Sequence, residues 1–373
     1  MEQGGGVAHR RASTWNRPRP PAWGTIERRS IDEGTRGGHV DDAMVQDAGV
    51  DAARADGGEG MQTGIAEVGE LAAHLAAAMR SVVEGKDDVV DLAVTVLLAG
   101  GHLLVEDVPG VGKTTLAKTL ARAIGAPMSR IQFTPDLMPS DVTGVSIFDP
   151  EVREFRFRPG AVFANVVVCD EINRATPKAQ SAVLECMEEA QVTVDGRTYA
   201  LESPFFVVAT QNPIEMEGTY PLPEAQRDRF MARVSMGYPG VEAEVAMLDH
   251  HSASAPLATL EPVTDPAAVT RAVEAAGRVH ASEPIRRYIV ALLQATRSSP
   301  DLRLGASPRA GLHLLRAARA RAAMSGRAHV LPDDVQALAV PILDHRLLLS
   351  SQGRLSRNST TEALRTLLGR VRP

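Results

Sequence analysis

From Ile65 onward the apolar positions fall at helical spacing. Ile65, Val68, Leu71, Leu75, Met79 and Val82 recur every three or four residues, which predicts a helix over residues 65–84. Asp88 to Leu98 predicts a second helix. Beyond it, five short apolar runs alternate with helix-length stretches: His102–Val105, Met128–Phe133, Val162–Cys169, Phe205–Ala209 and Met231–Met236. Such alternation builds a parallel five-stranded sheet with helices on both faces. The segment Ala164–Cys169 is almost wholly apolar, as a central strand buried on both faces requires.

Two pieces break the scheme. In Gly144 to Phe157, the stretch Val152–Phe157 alternates in period two. In Gln191 to Leu201, Asp195-Gly196 sits between Val192/Val194 and Tyr199/Leu201, a strong hairpin signal. Both read as insertions into an α/β core. Residues 251–265 are His, Ser, Ala and Pro without periodicity, and read as a linker. Helices dominate from 266 to 373: Ser307 and Pro308 supply an N-cap and first-turn proline, Gly326 stops that helix, and Pro332-Asp333-Asp334 opens the next. Residues 1–62 have no periodicity, are rich in glycine and contain Pro18-Arg19-Pro20-Pro21. They cannot bury enough apolar surface to offset their ordering entropy, so a disordered tail is expected there. The division is therefore 1–62 tail, 63–250 α/β core, 251–265 linker and 266–373 small all-helical domain.

Composition changes this picture little. With 373 residues the chain can bury a large core without staples. A net charge of −6 gives no reason to expect nucleic acid. Cys169 and Cys186 have neither CxxC spacing nor a Cys/His cluster, so both read as small buried apolar residues in a reducing compartment. No apolar stretch follows Arg10 and Arg11, so no secretory signal is expected. The longest apolar region, Val89 to Val105, is broken by Asp91, two glycines and His102. No membrane segment is expected, and the chain reads as cytoplasmic.

The strongest chemical signal is the strand–loop–helix Leu103 to Thr115, whose loop carries Pro109, Gly110, Val111, Gly112, Lys113, Thr114 and Thr115. A glycine loop opening onto a helix aims backbone N–H groups at one point, where the helix dipole also favours an anion. Lys113 is placed for the β- and γ-phosphates of ATP, and Thr114 for Mg²⁺. The template GxxxxGK[ST] asks for glycine at 107, where this chain has Asp107. An acid there weakens affinity unless its carboxylate points away. Next, Val166–Cys169 runs into Asp170 and Glu171. Asp170 would hold Mg²⁺ through its water shell, and Glu171 would polarise the attacking water. Asn212 ends the following apolar run, on the edge where ligands bind in α/β sheets. Taken alone, Asn212-Pro213 reads better as a turn. Arg229 precedes the fifth run, and Arg309 lies in the first turn of a helix, where its charge opposes the macrodipole. Alone, either reads equally as a surface charge.

Together these segments resemble the MoxR family of AAA+ ATPases. The resemblance rests on Glu106–Thr115, Gln132–Asp141, Arg158-Pro159-Gly160 and Asp170–Ala175. It continues through Gln180–Glu185, Met187-Glu188-Glu189, Ala209–Glu215, Glu217–Gln226 and Gly305–Arg309. It implies a P-loop AAA+ core with a small all-α lid domain. In it Asn212 is the first sensor, Arg229 the finger reaching a neighbouring subunit's ATP, and Arg309 the lid sensor. Both insertions would face a central pore. It also implies a homo-oligomer, a hexameric ring, that remodels or activates a partner protein carrying a von Willebrand factor A domain. Arg227 stands where an apolar residue is usual in the family, which makes it a second candidate finger. Two other readings stay open: the motor subunit of a metal chelatase, and a nucleotide-switch scaffold without turnover. The set Lys113, Asp170, Glu171, Asn212 and Arg229 argues against the second.

Overall fold

The computed structural model describes residues 50–213, 218–238, 240–241, 256–356 and 359–373, with side chains from residue 62 onward. Helix α1 (Val50–Arg80) reaches back into the stretch read as the tail, and residues 1–49 lie outside the described residues. Helix α2 (Asp87–Leu98) leads into β1 (Leu103–Glu106), which feeds α3 (Lys113–Ala123). The remaining sheet strands are β2 (Met128–Gln132), β5 (Val166–Asp170), β8 (Phe206–Gln211) and β9 (Ala232–Val234). All five expected runs are strands. They pair in parallel in the order β2-β5-β8-β1-β9.

Period-two alternation divides each central strand between two apolar cores. Leu103, Val105, Val166, Val168, Phe206 and Val208 face the side covered by α1, α2 and α3. Leu104, Val167, Cys169, Val207 and Ala209 face α5 (Pro177–Glu189). Burial on both faces explains why these strands read as continuous apolar runs.

The insertions are antiparallel hairpins. A short helix α4 (Pro139–Thr143) precedes β3 (Gly144–Asp149), which pairs with β4 (Glu154–Pro159). Strands β6 (Gln191–Val194) and β7 (Arg197–Ala200) are joined by Asp195-Gly196, both at positive φ as the tight turn demands. Val145, Ile147, Phe148 and Phe155 on the first hairpin are exposed.

After β8 a one-turn helix, α6 (Glu224–Arg227), precedes β9. Part of the expected linker, residues 251–255, lies outside the described residues, and Pro256–Thr259 forms a short helix, α7. The C-terminal helices are α8 (Pro266–Gly277), α9 (Glu283–Ser298), α10 (Pro308–Met324), α11 (Pro332–Leu343), α12 (Ser351–Ser356) and α13 (Thr360–Arg370). Ser307 caps α10 as expected, its Oγ accepting from the Ala310 N–H at 3.1 Å. A small ladder joins this otherwise helical region, with β10 (Leu302–Leu304) antiparallel to β11 (Leu348–Leu349). Apolar residues of α8 to α11 and α13 share one continuous cluster with α1 and α2. Among the described residues no helix is long and apolar enough to cross a membrane.

Candidate functional site

At the C-terminal edge of the sheet, β1 ends and the loop turns into α3. Gly110 and Gly112 hold φ of 86° and 89°, the left-handed region that side-chain-bearing residues avoid. A Cβ on Gly110 would meet nothing within 4 Å, so the loop lies open where phosphates would approach. Lys113 Nζ donates to the Asp107 carbonyl at 2.6 Å. Burial lowers the Lys113 pKa, opposed by the charges of Asp107, Glu171 and Asp170. The template-breaking carboxylate of Asp107 is engaged by its own neighbour and by the segment after β9. It accepts from Val108 N–H at 2.8 Å, Ser235 Oγ–H at 2.8 Å and Gly237 N–H at 2.5 Å. Burial raises its pKa, but these donors outweigh burial and hold it below the usual carboxylate range.

Beside the loop, β5 delivers two acids in different settings. Asp170 is buried, and both its oxygens accept from Thr114 Oγ–H, at 3.2 and 3.3 Å. Arg130 Nε donates to it at 2.6 Å from β2, and Thr210 Oγ–H at 3.3 Å from β8. The grouped hydroxyl and carboxylate oxygens are hard donors that fit Mg²⁺. Glu171 has left the strand with φ 56° and ψ 50°, a left-handed conformation that costs a non-glycine residue roughly 1–2 kcal/mol. Its N–H donates to Thr210 Oγ at 2.9 Å. Its carboxylate pairs with Arg174 at 2.9 Å and accepts from Gln132 Nε2–H at 3.3 Å. Asn212 is buried just past the end of β8, and Asp107 N–H donates to the carbonyl of its neighbour Gln211 at 3.1 Å. Lys113, Thr114, Asp170, Glu171 and Asn212 are thus gathered at one edge. Arg130, Thr210, Gln132 and Arg174 join them; Gln132, Arg174 and Thr210 lie in family-like segments but without a role read for them, and Arg130 lies in none, because their contacts cross strands or turn back on the chain.

The two arginines lie elsewhere. Arg229 Nε pairs with Glu188 at 3.0 Å, and Arg309 pairs with the other oxygen of the same carboxylate. Glu188 ends α5. The neighbouring Met187 carbonyl accepts from His102 Nε2 at 3.0 Å, and His102 stands at the start of β1. This edge is therefore opposite the loop, about 13 Å away along the four residues of β1. Asp228 joins the two arginine-bearing segments by accepting from Ser307 Oγ–H at 2.9 Å and pairing with buried Arg346 at 3.3 Å. Arg227 has a buried Nε with no hydrogen-bond partner among the described residues.

Two buried histidines, His102 and His345, and the partly buried His313 line this rear edge and the helices behind it. His102 Nδ1 accepts from the Val207 N–H at 3.1 Å, so its proton sits on Nε2. Burial is the main cause lowering its pKa to about 4. Burial and then Arg346 lower His313 to about 2 and His345 well below its usual value. A folded pKa depressed below the unfolded value of about 6.5 makes the neutral form stabilising above that pH. The contribution is lost as pH falls toward the folded pKa. At pH 5 His102 alone should cost about 2 kcal/mol relative to neutral pH, and the other two act in the same direction. A melting temperature that stays flat from pH 7.5 to 5 would contradict this.

An open glycine loop, a lysine, a hydroxyl and an acidic strand end are the parts that a P-loop nucleotide site requires. Residues 102–232 match the ATPase family associated with various cellular activities (AAA), and residues 294–367 match the AAA lid domain. The chain is 49% identical over 294 residues to YeaC of Bacillus subtilis, covering 78% of this chain and 91% of that protein. It is 42% identical over 281 residues to the chaperone MoxR1 of Mycobacterium tuberculosis, covering 73% and 74%. A crystal structure described as a candidate ATPase from Cytophaga hutchinsonii superposes with a TM-score of 0.76 at 36% identity, covering 87% of this chain and 99% of that one. The chain belongs to the MoxR family of AAA+ ATPases.

Proposed function

We propose that this ATPase binds ATP with Mg²⁺ at residues 109–115, hydrolyses it to ADP and phosphate, and uses the cycle to remodel a partner protein. Lys113 and the loop N–H groups hold the phosphates. Thr114 and Asp170 hold the metal ion, which when bound neutralises charge on the phosphates. Glu171 orients and deprotonates the attacking water, and Asn212 aligns that water from the end of β8. Arg229 and Arg309 serve the nucleotide of a neighbouring subunit in a cytoplasmic ring, for which six members is our reading.

What carries the trans reading is the separation of the charges. Lys113, Thr114, Asp170, Glu171 and Asn212 lie at one edge of the sheet, while Arg229 and Arg309 share Glu188 at the other. An arginine that cannot reach its own phosphates is useful only to a neighbour. Chaperone action is supported by the likeness to MoxR1, and the partner expected is a protein with a von Willebrand factor A domain. The test is capture from native extract with the Glu171→Gln variant held with ATP. Enrichment of a von Willebrand-type protein, absent with Lys113→Ala, is the expected result. Recovery of chelatase-like subunits or nucleic acid instead would remove the chaperone role.

A further inference from the structure

Asp107 occupies the one position where the loop departs from its template, yet its side chain is among the best satisfied near the site. It is 8% exposed, and three donors converge on its two oxygens. Two of them, Ser235 Oγ–H and Gly237 N–H, belong to the strap that follows β9. That strap lies against the loop elsewhere too. A Cβ on Gly112 would sit 3.7 Å from Met236 Cε, and on the side of α2 Lys86 Nζ holds the strap by donating to the Tyr238 carbonyl at 2.8 Å. The Asp107 carbonyl is also the acceptor for Lys113 Nζ. The preceding acid, Glu106, makes a parallel tie. It pairs with Arg233 of β9 at 2.5 Å, and Arg233 also pairs with Asp344, just beyond α11.

We propose that Asp107 is a positioning residue for ATP binding, pinning the start of the phosphate loop to the Ser235–Gly237 strap and so fixing the carbonyl that holds Lys113. A glycine at 107 would leave the Gly237 N–H and Ser235 hydroxyl without their acceptor and release the loop from β9. The residue that breaks the template therefore does work in this chain that the template residue could not. The inference rests on the ATP-binding reading above.

Its test is to restore the template. The Kd of a fluorescent ATP analogue is measured for wild type, Asp107→Gly, Asp107→Asn, Ser235→Ala and the double variant Asp107→Asn/Ser235→Ala. Thermal unfolding of each is recorded alongside. Hydrogen bonds to a charged group are strong enough that Asp107→Gly should raise Kd about tenfold. The kcat at saturating ATP should fall by a smaller factor. Asp107→Asn keeps the size but turns an amide N–H toward a donor, and should also weaken binding. Ser235→Ala should weaken it less, and the double variant should add little to Asp107→Asn, because both changes break one contact. If Asp107→Gly fails to fold, Ser235→Ala and the double variant decide. Unchanged Kd in Asp107→Gly, or strict additivity in the double variant, overturns the inference while leaving the ATPase standing. A wild type that binds no ATP removes the ATP-binding reading itself and this inference with it.

Discussion

Glu171→Gln is expected to bind ATP like the wild type and to lower turnover by about 10²–10⁴, the usual contribution of a positioned general base. Glutamine keeps the length of the side chain, so contacts that position Glu171 largely persist: its N–H stays on Thr210 Oγ and Gln132 stays within reach. What is lost is the basic oxygen. Glu171 lies beyond β5 in a left-handed conformation, a strained placement that neighbouring strands enforce, as is usual where a side chain must be aimed. Lys113→Ala should behave differently. Its ammonium is the charge placed at the loop for the phosphates, while Arg130 and Arg174 are already engaged by Asp170 and Glu171, so without it binding itself should disappear. Fluorescent-nucleotide titration and phosphate release on the same preparations separate the two effects. Equal turnover in wild type and Glu171→Gln would show that another group activates the water.

Arg229→Ala should cut turnover by about 10³–10⁵, the range known for fingers that neutralise charge on a transferring phosphoryl group. In the wild type, specific activity should rise with protein concentration. In Arg229→Ala it should stay near zero at every concentration. The pairing with Glu188 does not prevent the finger from working. Both side chains are partly exposed, and such an ion pair contributes only about 0–1 kcal/mol. A nucleotide phosphate carries more charge and can displace it. The decisive form of the experiment mixes two dead variants. Arg229→Ala keeps its nucleotide site, and Lys113→Ala keeps its finger, so mixed rings should recover activity. A mixture as inactive as its parts, or activity independent of concentration, would refute action in trans. If Arg227→Ala were the inactive variant and Arg229→Ala were not, the finger would be the other arginine. Arg227 is the less suited, because its Nε is buried and without a partner among the described residues.

The sequence by itself determined the five strands, their burial on both faces, the two hairpins and the phosphate loop, because each depends on local periodicity or on a contiguous motif. Apolar runs such as Val166–Cys169 cannot be satisfied except between two layers, and Asp195-Gly196 permits little besides a tight turn. Lys113, Thr114, Asp170 and Glu171 were legible for the same reason: each lies at a strand end or opens a helix, and parallel strands bring such ends to one edge, whereas Asn212 read alone as a turn and was singled out only by the family resemblance. Pairing across the chain was decided only by the tertiary structure. Nothing in the sequence around Arg130 or Thr210 says that both meet Asp170, and nothing near Glu188 says that it gathers Arg229 and Arg309. The direction of the Asp107 carboxylate was likewise undetermined. What holds that side chain is a pair of donors on Ser235 and Gly237, more than a hundred residues further along the chain.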